Sequence, residues 1–251
     1  GRLAEQLEGA AGRAFGELDP NDAHNTIITD IKLAPRNANG KVEYVASFYL
    51  VKPIDLSKSS HLMWQDVPNR GGRVTISPLH RNDGDIGLSS GWQGDNSGRT
   101  VPADDNDWVM VPIAKNPDGS PVSGLVLGRI VNASGPDSRP MIVNANPVPY
   151  KPATLDTTKA TLTTHISESM DGKITEGPAI SGSDWAWAKC SATNPFPGTP
   201  DPTQICLKNG FDPKLLYQVV FTSNDAYVLG IGFAAFPDVA SFFRYAARDN
   251  H

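Results

Sequence analysis

The run Leu215-Leu216-Tyr217-Gln218-Val219-Val220-Phe221, followed by Tyr227-Val228-Leu229-Gly230-Ile231-Gly232 and by Pro237, Val239, Phe242, Phe243 and Tyr245, sets the expected architecture. Its aromatic and β-branched residues predict two strands, Leu216–Phe221 and Tyr227–Gly230. Gly230-Ile231-Gly232 predicts a tight turn. Pro237 with apolar positions three and four apart predicts a helix that opens at the proline. Strand, turn, strand, glycine turn and helix predict an α/β fold, and a sheet still being built when the sequence reaches His251. The pattern therefore predicts a continuation beyond that residue.

Upstream, the signals are mostly those of strands. Ile27, Ile28, Ile31 and Leu33 predict one, and Val42, Tyr44, Ala46, Phe48 and Leu50 alternate to predict another. Asn37-Ala38-Asn39-Gly40 between them predicts a turn, so the pair reads as an N-terminal antiparallel hairpin. Further strands are expected at His61–Val67, Asp85–Gly91, Trp108–Ile113, Leu125–Val131 and Thr158–Ser167. Residues 132–157 and 171–208 read as turn-rich loops, and residues 1–14 as a short helix or loose arm.

Composition narrows the function classes. A chain of 251 residues is long enough for a sizeable core, and its 23 Gly and 21 Pro predict many turns and few long helices. A net charge of −5 argues against an electrostatic nucleic-acid partner. No apolar run reaches the roughly eighteen residues of a membrane span. Cys190 and Cys206 flank a Pro/Gly-rich loop that buries little apolar surface. A disulfide would hold that loop and imply an oxidising compartment, periplasmic or extracellular; two unpaired cysteines of a cytosolic protein are the alternative. No Cys/His spacing suits zinc, and no reading calls for a cofactor.

Several stretches carry a family resemblance. They are Asn25-Thr26-Ile27-Ile28-Thr29-Asp30-Ile31, Ala34-Pro35-Arg36-Asn37, Val67-Pro68-Asn69-Arg70-Gly71, Gly91-Trp92-Gln93-Gly94-Asp95, Pro195–Pro202, Cys206-Leu207-Lys208, Gly210-Phe211-Asp212-Pro213, Gly230–Ala235 and Phe242-Phe243-Arg244-Tyr245. In this order they resemble a family of long bacterial α/β-hydrolase-domain proteins of esterase type. The resemblance implies a partial α/β-hydrolase sheet with an N-terminal β-hairpin and a β-rich insertion at about 100–210. Residues 1–22 would be an N-terminal arm, and 23–251 the N-terminal part of the hydrolase domain. In that family the nucleophile serine comes after the Arg-Tyr helix, here beyond His251. The triad would then come from a C-terminal segment of the same hydrolase, the substrate would be a small-molecule ester, and this chain alone would be inactive.

Candidate sites divide accordingly. Asn69-Arg70-Gly71-Gly72 comes after an early strand, where α/β hydrolases place an oxyanion N–H donor; the plain alternative is a β-turn with a surface arginine. Trp92, Gln93 and Asp95 would line the same cleft, or Trp92 would cap the core. Gly87-Leu88-Ser89-Ser90-Gly91 matches the nucleophile-elbow spacing, but Trp92-Gln93-Gly94-Asp95-Asn96-Ser97-Gly98 downstream cannot start a helix, so Ser89 reads as a strand residue. Gly230-Ile231-Gly232-Phe233-Ala234-Ala235 matches a dinucleotide fingerprint, which close strand–helix packing explains as well. His24, His61, His80, His165 and His251 read as structural or surface residues, and Asp104, Asp105, Asp107 and Glu168 as turn or surface carboxylates. A second function, a non-catalytic carbohydrate-binding module, would use Trp92, Trp185 and Trp187; the plain alternative for Trp185 and Trp187 is that they pack the disulfide loop onto the body.

Overall fold

The computed structural model describes residues 7–73, 77–96, 106–141 and 150–245. The chain forms two compact units, one of Gly1–Asp118 with Tyr227–His251 and the other of Gly119–Ala226. In the first unit, β1 (Leu7–Leu18), β2 (Val42–Pro53), β3 (Met63–Asp66), β4 (Ile86–Ser90) and β5 (Val109–Met110) form one sheet. Its order is β1-β2-β4-β3, with β5 also on β2. β3 runs parallel to β4, Asp66 opposite Ser89, and every other pairing in this sheet is antiparallel. A short helix α1 (Pro78–Asn82) precedes β4, and α2 (Ile231–Tyr245) packs on β1, β2 and β4.

The predicted α/β fold, and with it the partial α/β-hydrolase sheet, is overturned. Among the described residues, strand positions outnumber helical ones, 43% to 15%, and the pairing is predominantly antiparallel. The stretch from Leu215 to Tyr245 misleads because its parts belong to different units. The strand after Leu215 is laid down in the second unit, while the helix belongs to the first. In the sequence between them Tyr227 makes a single bridge, to Ile113, and the expected second strand does not form. The helix also starts earlier than expected, at Ile231, with Pro237 inside it. Proline removes one helical N–H, and Gln65 Nε2 binds this turn by donating to Phe236 O (3.0 Å).

The expected hairpin is also replaced. Ile28 N–H donates to Asn25 O, Ile31 N–H to Ile28 O and Leu33 N–H to Asp30 O, a succession of three-residue turns. That spacing buries Ile28 and Ile31 together and leaves Ile27 exposed, which no strand would do. β2 pairs instead with residues 7–18, expected to be an arm or helix, along their whole length. Gly12 and Gly16 lie opposite Phe48 and Tyr44, whose rings cover the space a side chain would need. The aromatic rings of β2 thus supply the packing that β1 lacks.

The second unit contains β6 (Gly124–Ile130), β7 (Arg139–Pro140), β8 (Ala160–Glu168), β9 (Ile174–Glu176), β10 (Trp185–Ser191), β11 (Asn194–Leu207) and β12 (Leu216–Ser223). They form an antiparallel sheet β6-β12-β8-β9 and a smaller one, β10-β11-β7. The core joins Ile130, Leu162, Ile205 and Val219 to the rings of Trp185, Trp187 and Phe221. Trp187 meets Trp185 and Phe221 edge-on at 5.3 and 5.1 Å. β10 and β11 occupy residues expected to be loop. Four prolines of β11 are accommodated because the β10–β11 pairing shifts register twice, after Trp187 and after Lys189.

Cys190 and Cys206 are joined in a disulfide across this irregular pair, with Cα atoms 5.8 Å apart. No helix among the described residues is long and apolar enough to cross a membrane. Closing a loop of 16 residues restricts the unfolded chain by about 3 kcal/mol in the chain-entropy model. The Cys190→Ser, Cys206→Ser double variant is therefore expected to lose about that much stability, measured by urea unfolding against the oxidised protein. Gly232, in the first turn of α2, presses on the Trp92 carbonyl, so that a Cβ there would overlap that oxygen. Gly232→Ala should cost about 1–3 kcal/mol in the same assay, as overpacking does.

Candidate functional site

Because β3 and β4 are parallel neighbours, the loops that leave them emerge at the same end of the sheet. This brings the two candidate segments together. Asn69–Gly71 makes a tight turn in which Arg70 and Gly71 both take left-handed backbone, with φ of 54° and 80°. Arginine adopts that conformation at a cost, whereas glycine does not. At position 71 a Cβ would also sit 2.5 Å from Asp107 O. The Arg70 N–H donates to Gln93 Oε1 at 2.6 Å. Arg70 Nη1 donates to both Asp95 oxygens, at 3.0 and 3.1 Å. Trp92 Nε1 donates to Pro68 O (2.9 Å).

The loop is anchored from below. Asp107 N–H donates to Gly71 O (2.8 Å), Gly72 N–H donates to Asn69 O (3.1 Å), and Gly72 bridges Asn106. The Arg70–Asp95 ion pair has its arginine 41% exposed and its aspartate 17%. It contributes on the order of 1 kcal/mol or less. Its effect is to hold the guanidinium beside the Trp92–Asp95 loop. The Trp92 ring also packs on Phe233 of α2, with centroids 5.5 Å apart.

Other candidates are placed elsewhere. Ser89 lies within β4, 2% exposed, and its hydroxyl donates to the Asp107 carboxylate. A hydroxyl spent on a buried carboxylate inside a strand is no exposed nucleophile. Asp107, expected at a turn or the surface, has no exposure at all. It accepts from Ser47 Oγ (3.3 Å) as well, with Arg73 Nη2 at 3.4 Å. The N–H groups of Ile231, Gly232 and Phe233 donate to Val228, Leu229 and Gly230 carbonyls, which leaves none of these three for a dinucleotide phosphate. Trp185 and Trp187 are each 2% exposed and offer no face for sugar stacking.

His24 and His61 are exposed. His165 is buried with Nδ1 2.6 Å from Glu168, which also accepts from Arg129. Asp104, Asp105 and His251 lie outside the described residues. Among the described residues no cluster of three or more His, Cys, Asp or Glu could hold a metal ion.

A groove of about 910 Å³ runs beside β3 and is lined by Leu62, Met63, Phe236, Phe243 and Tyr245, among others. Among the described residues, β3 pairs only with β4.

The chain matches no protein-family model, and comparisons with curated proteins and with solved structures find no match either. The resemblance to the hydrolase family has no counterpart among them.

Sequence reasoning missed the Ser47–Ser89–Asp107 network and the Tyr44–Asp238 hydrogen bond (2.7 Å), whose members lie far apart in the chain. It also left His80 without a partner. His80 Nδ1 lies 2.8 Å from Asp85, whose other oxygen accepts from Ser60 Oγ at 2.6 Å. The Ser60 hydroxyl, with the histidine second, holds the Asp85 carboxyl below the usual carboxylate range. A lowered folded-state value means that this stabilisation is complete above the unfolded value of about 4, and is lost as pH falls through the lower folded value. Replacing Asp85 by Asn should therefore flatten the acid limb of a plot of urea midpoint against pH, with the two proteins converging at the acid end.

Proposed function

We propose that this chain supplies the oxyanion loop and part of the substrate cleft of an esterase-type serine hydrolase acting on small carboxylic esters. The nucleophile, acid and base come from a further segment of the same hydrolase, and the disulfide fits an oxidising compartment, periplasmic or extracellular. One observation carries the reading. After β3, the backbone turns through the left-handed Arg70 and sets its N–H on a carbonyl oxygen, Gln93 Oε1, at 2.6 Å. Stabilising a tetrahedral intermediate needs such a donor, roughly 2.7–3.1 Å from the developing oxyanion and fixed before the reaction begins.

The surroundings suit that role. Gly71 closes the turn against Asp107, so the donor does not depend on a mobile side chain. Trp92, bonded to Pro68 O, and the Arg70–Asp95 pair hold the two loops together beside the donor. The groove beside β3, lined in part by Leu62, Met63, Phe236 and Phe243, offers a surface for the segment that brings the triad. Ser89, the one serine in an elbow-like motif, is committed to Asp107, so this chain supplies no activated nucleophile there.

The test is labelling of the full-length protein with a fluorophosphonate, followed by peptide mapping. Label on a serine outside residues 1–251 is expected. Label on a serine within this chain, or no labelling of the folded protein, would overturn the proposal.

A further inference from the structure

The oxyanion donor already has a partner. Of the loop's N–H groups, that of Gly72 is spent on the backbone of its own turn, donating to Asn69 O. The Arg70 N–H instead meets a side chain, the amide oxygen of Gln93, at 2.6 Å. Hydrogen-bond chemistry settles which end of that amide faces the loop, because an N–H donor can be met only by Oε1 and not by the NH₂ group. Gln93 is partly exposed and sits on the loop after β4, where its rotamer sets the position of the oxygen. Asp95, two residues on, fixes the Arg70 side chain, so the backbone beneath stays put if Gln93 turns away.

We infer that Gln93 is a displaceable positioning residue: its amide oxygen occupies the place of the substrate carbonyl oxygen in the free enzyme and is exchanged for it on binding. This rests on the esterase reading above. The exchange is one carbonyl acceptor for another on the same N–H, so no bond is made or broken beyond hydrogen bonds. In the free enzyme the contact keeps the donor paired. When substrate arrives, the Gln93 oxygen must leave, and the net worth of one hydrogen bond is subtracted from binding.

The consequence has a sign that a purely structural glutamine would not produce. In the full-length protein, with p-nitrophenyl butyrate as the probe, Gln93→Ala should lower KM by roughly fivefold, the net value of one hydrogen bond, and so raise kcat/KM. Gln93→Glu, which meets the same N–H with a charged and stronger acceptor, should raise KM by at least as much. A fall in kcat/KM for Gln93→Ala, or no change, would overturn the inference while leaving the esterase reading intact. If Gln93→Ala does not fold, unchanged KM in Gln93→Glu overturns it equally. Absence of esterase activity in the wild-type full-length protein would remove the esterase reading and this inference with it.

Discussion

Asp107 is a carboxylate with no contact with water, and the interior of the first unit is arranged to satisfy it. An unpaired buried charge would cost several kcal/mol. Here two hydroxyls and a guanidinium surround it: Ser47 from β2, Ser89 from β4 and Arg73 from the segment after the Asn69–Gly71 turn. Its backbone is used as well, since its N–H holds Gly71 O. Ser47 Oγ also accepts the Trp108 N–H at 2.8 Å, and Ser47 N–H donates to Trp108 O. One buried residue thus links two strands of the sheet to the loop that we assign to oxyanion binding. The loop is tied to that residue through its backbone N–H, while the carboxylate is paired by Ser47, Ser89 and Arg73.

Helix α2 is the second element behind the site. Its contacts with the sheet are specific: Tyr44 Oη donates to Asp238, Phe48 meets Phe243 edge-on, and Gln65 binds Phe236 O. Burial, and then the neighbouring Asp238 carboxylate, push the Tyr44 phenol well above its usual value, which keeps it a donor at every physiological pH. At the helix start, Gly232 allows the Trp92 carbonyl to approach, and Phe233 packs on the Trp92 ring. The helix therefore fixes the loop that carries Gln93 and Asp95 from one side, as Asp107 fixes the Arg70 loop from the other.

The second unit stands on a different principle. Its sheets enclose a core centred on Trp185, Trp187 and Phe221, and its least regular strand pair is tied by the Cys190–Cys206 disulfide. Prolines in β11 give up ladder hydrogen bonds, so apolar burial and the covalent link carry more of the stability there. Trp185 and Trp187, for which the sequence offered a sugar-binding platform or a packing role, are the centre of this core, as packing residues.

Local chemistry made much of this legible in advance. The strands at Met63–Asp66, Ile86–Ser90, Gly124–Ile130, Ala160–Glu168 and Leu216–Ser223 fall within or close to the runs of β-branched and apolar residues that predict them. The candidate loops at Asn69–Gly71 and Trp92–Asp95 were visible as Gly-containing turns after strands, and the cysteines as the frame of a turn-rich segment. These are properties of side-chain shape, β-branching and glycine placement, which any short window of residues carries. β1 escaped notice because its glycines carry no strand signal and its packing comes from the rings of β2. The α/β reading failed because β12 and α2, neighbours in sequence, belong to different units. It took the folded chain to make β3 and β4 parallel neighbours, to bring Arg70 to Gln93 and Asp95, and to bury Asp107 beneath them. Those contacts join residues more than a dozen positions apart, and the pairing of strands, not any nearby residue, is what brings them together.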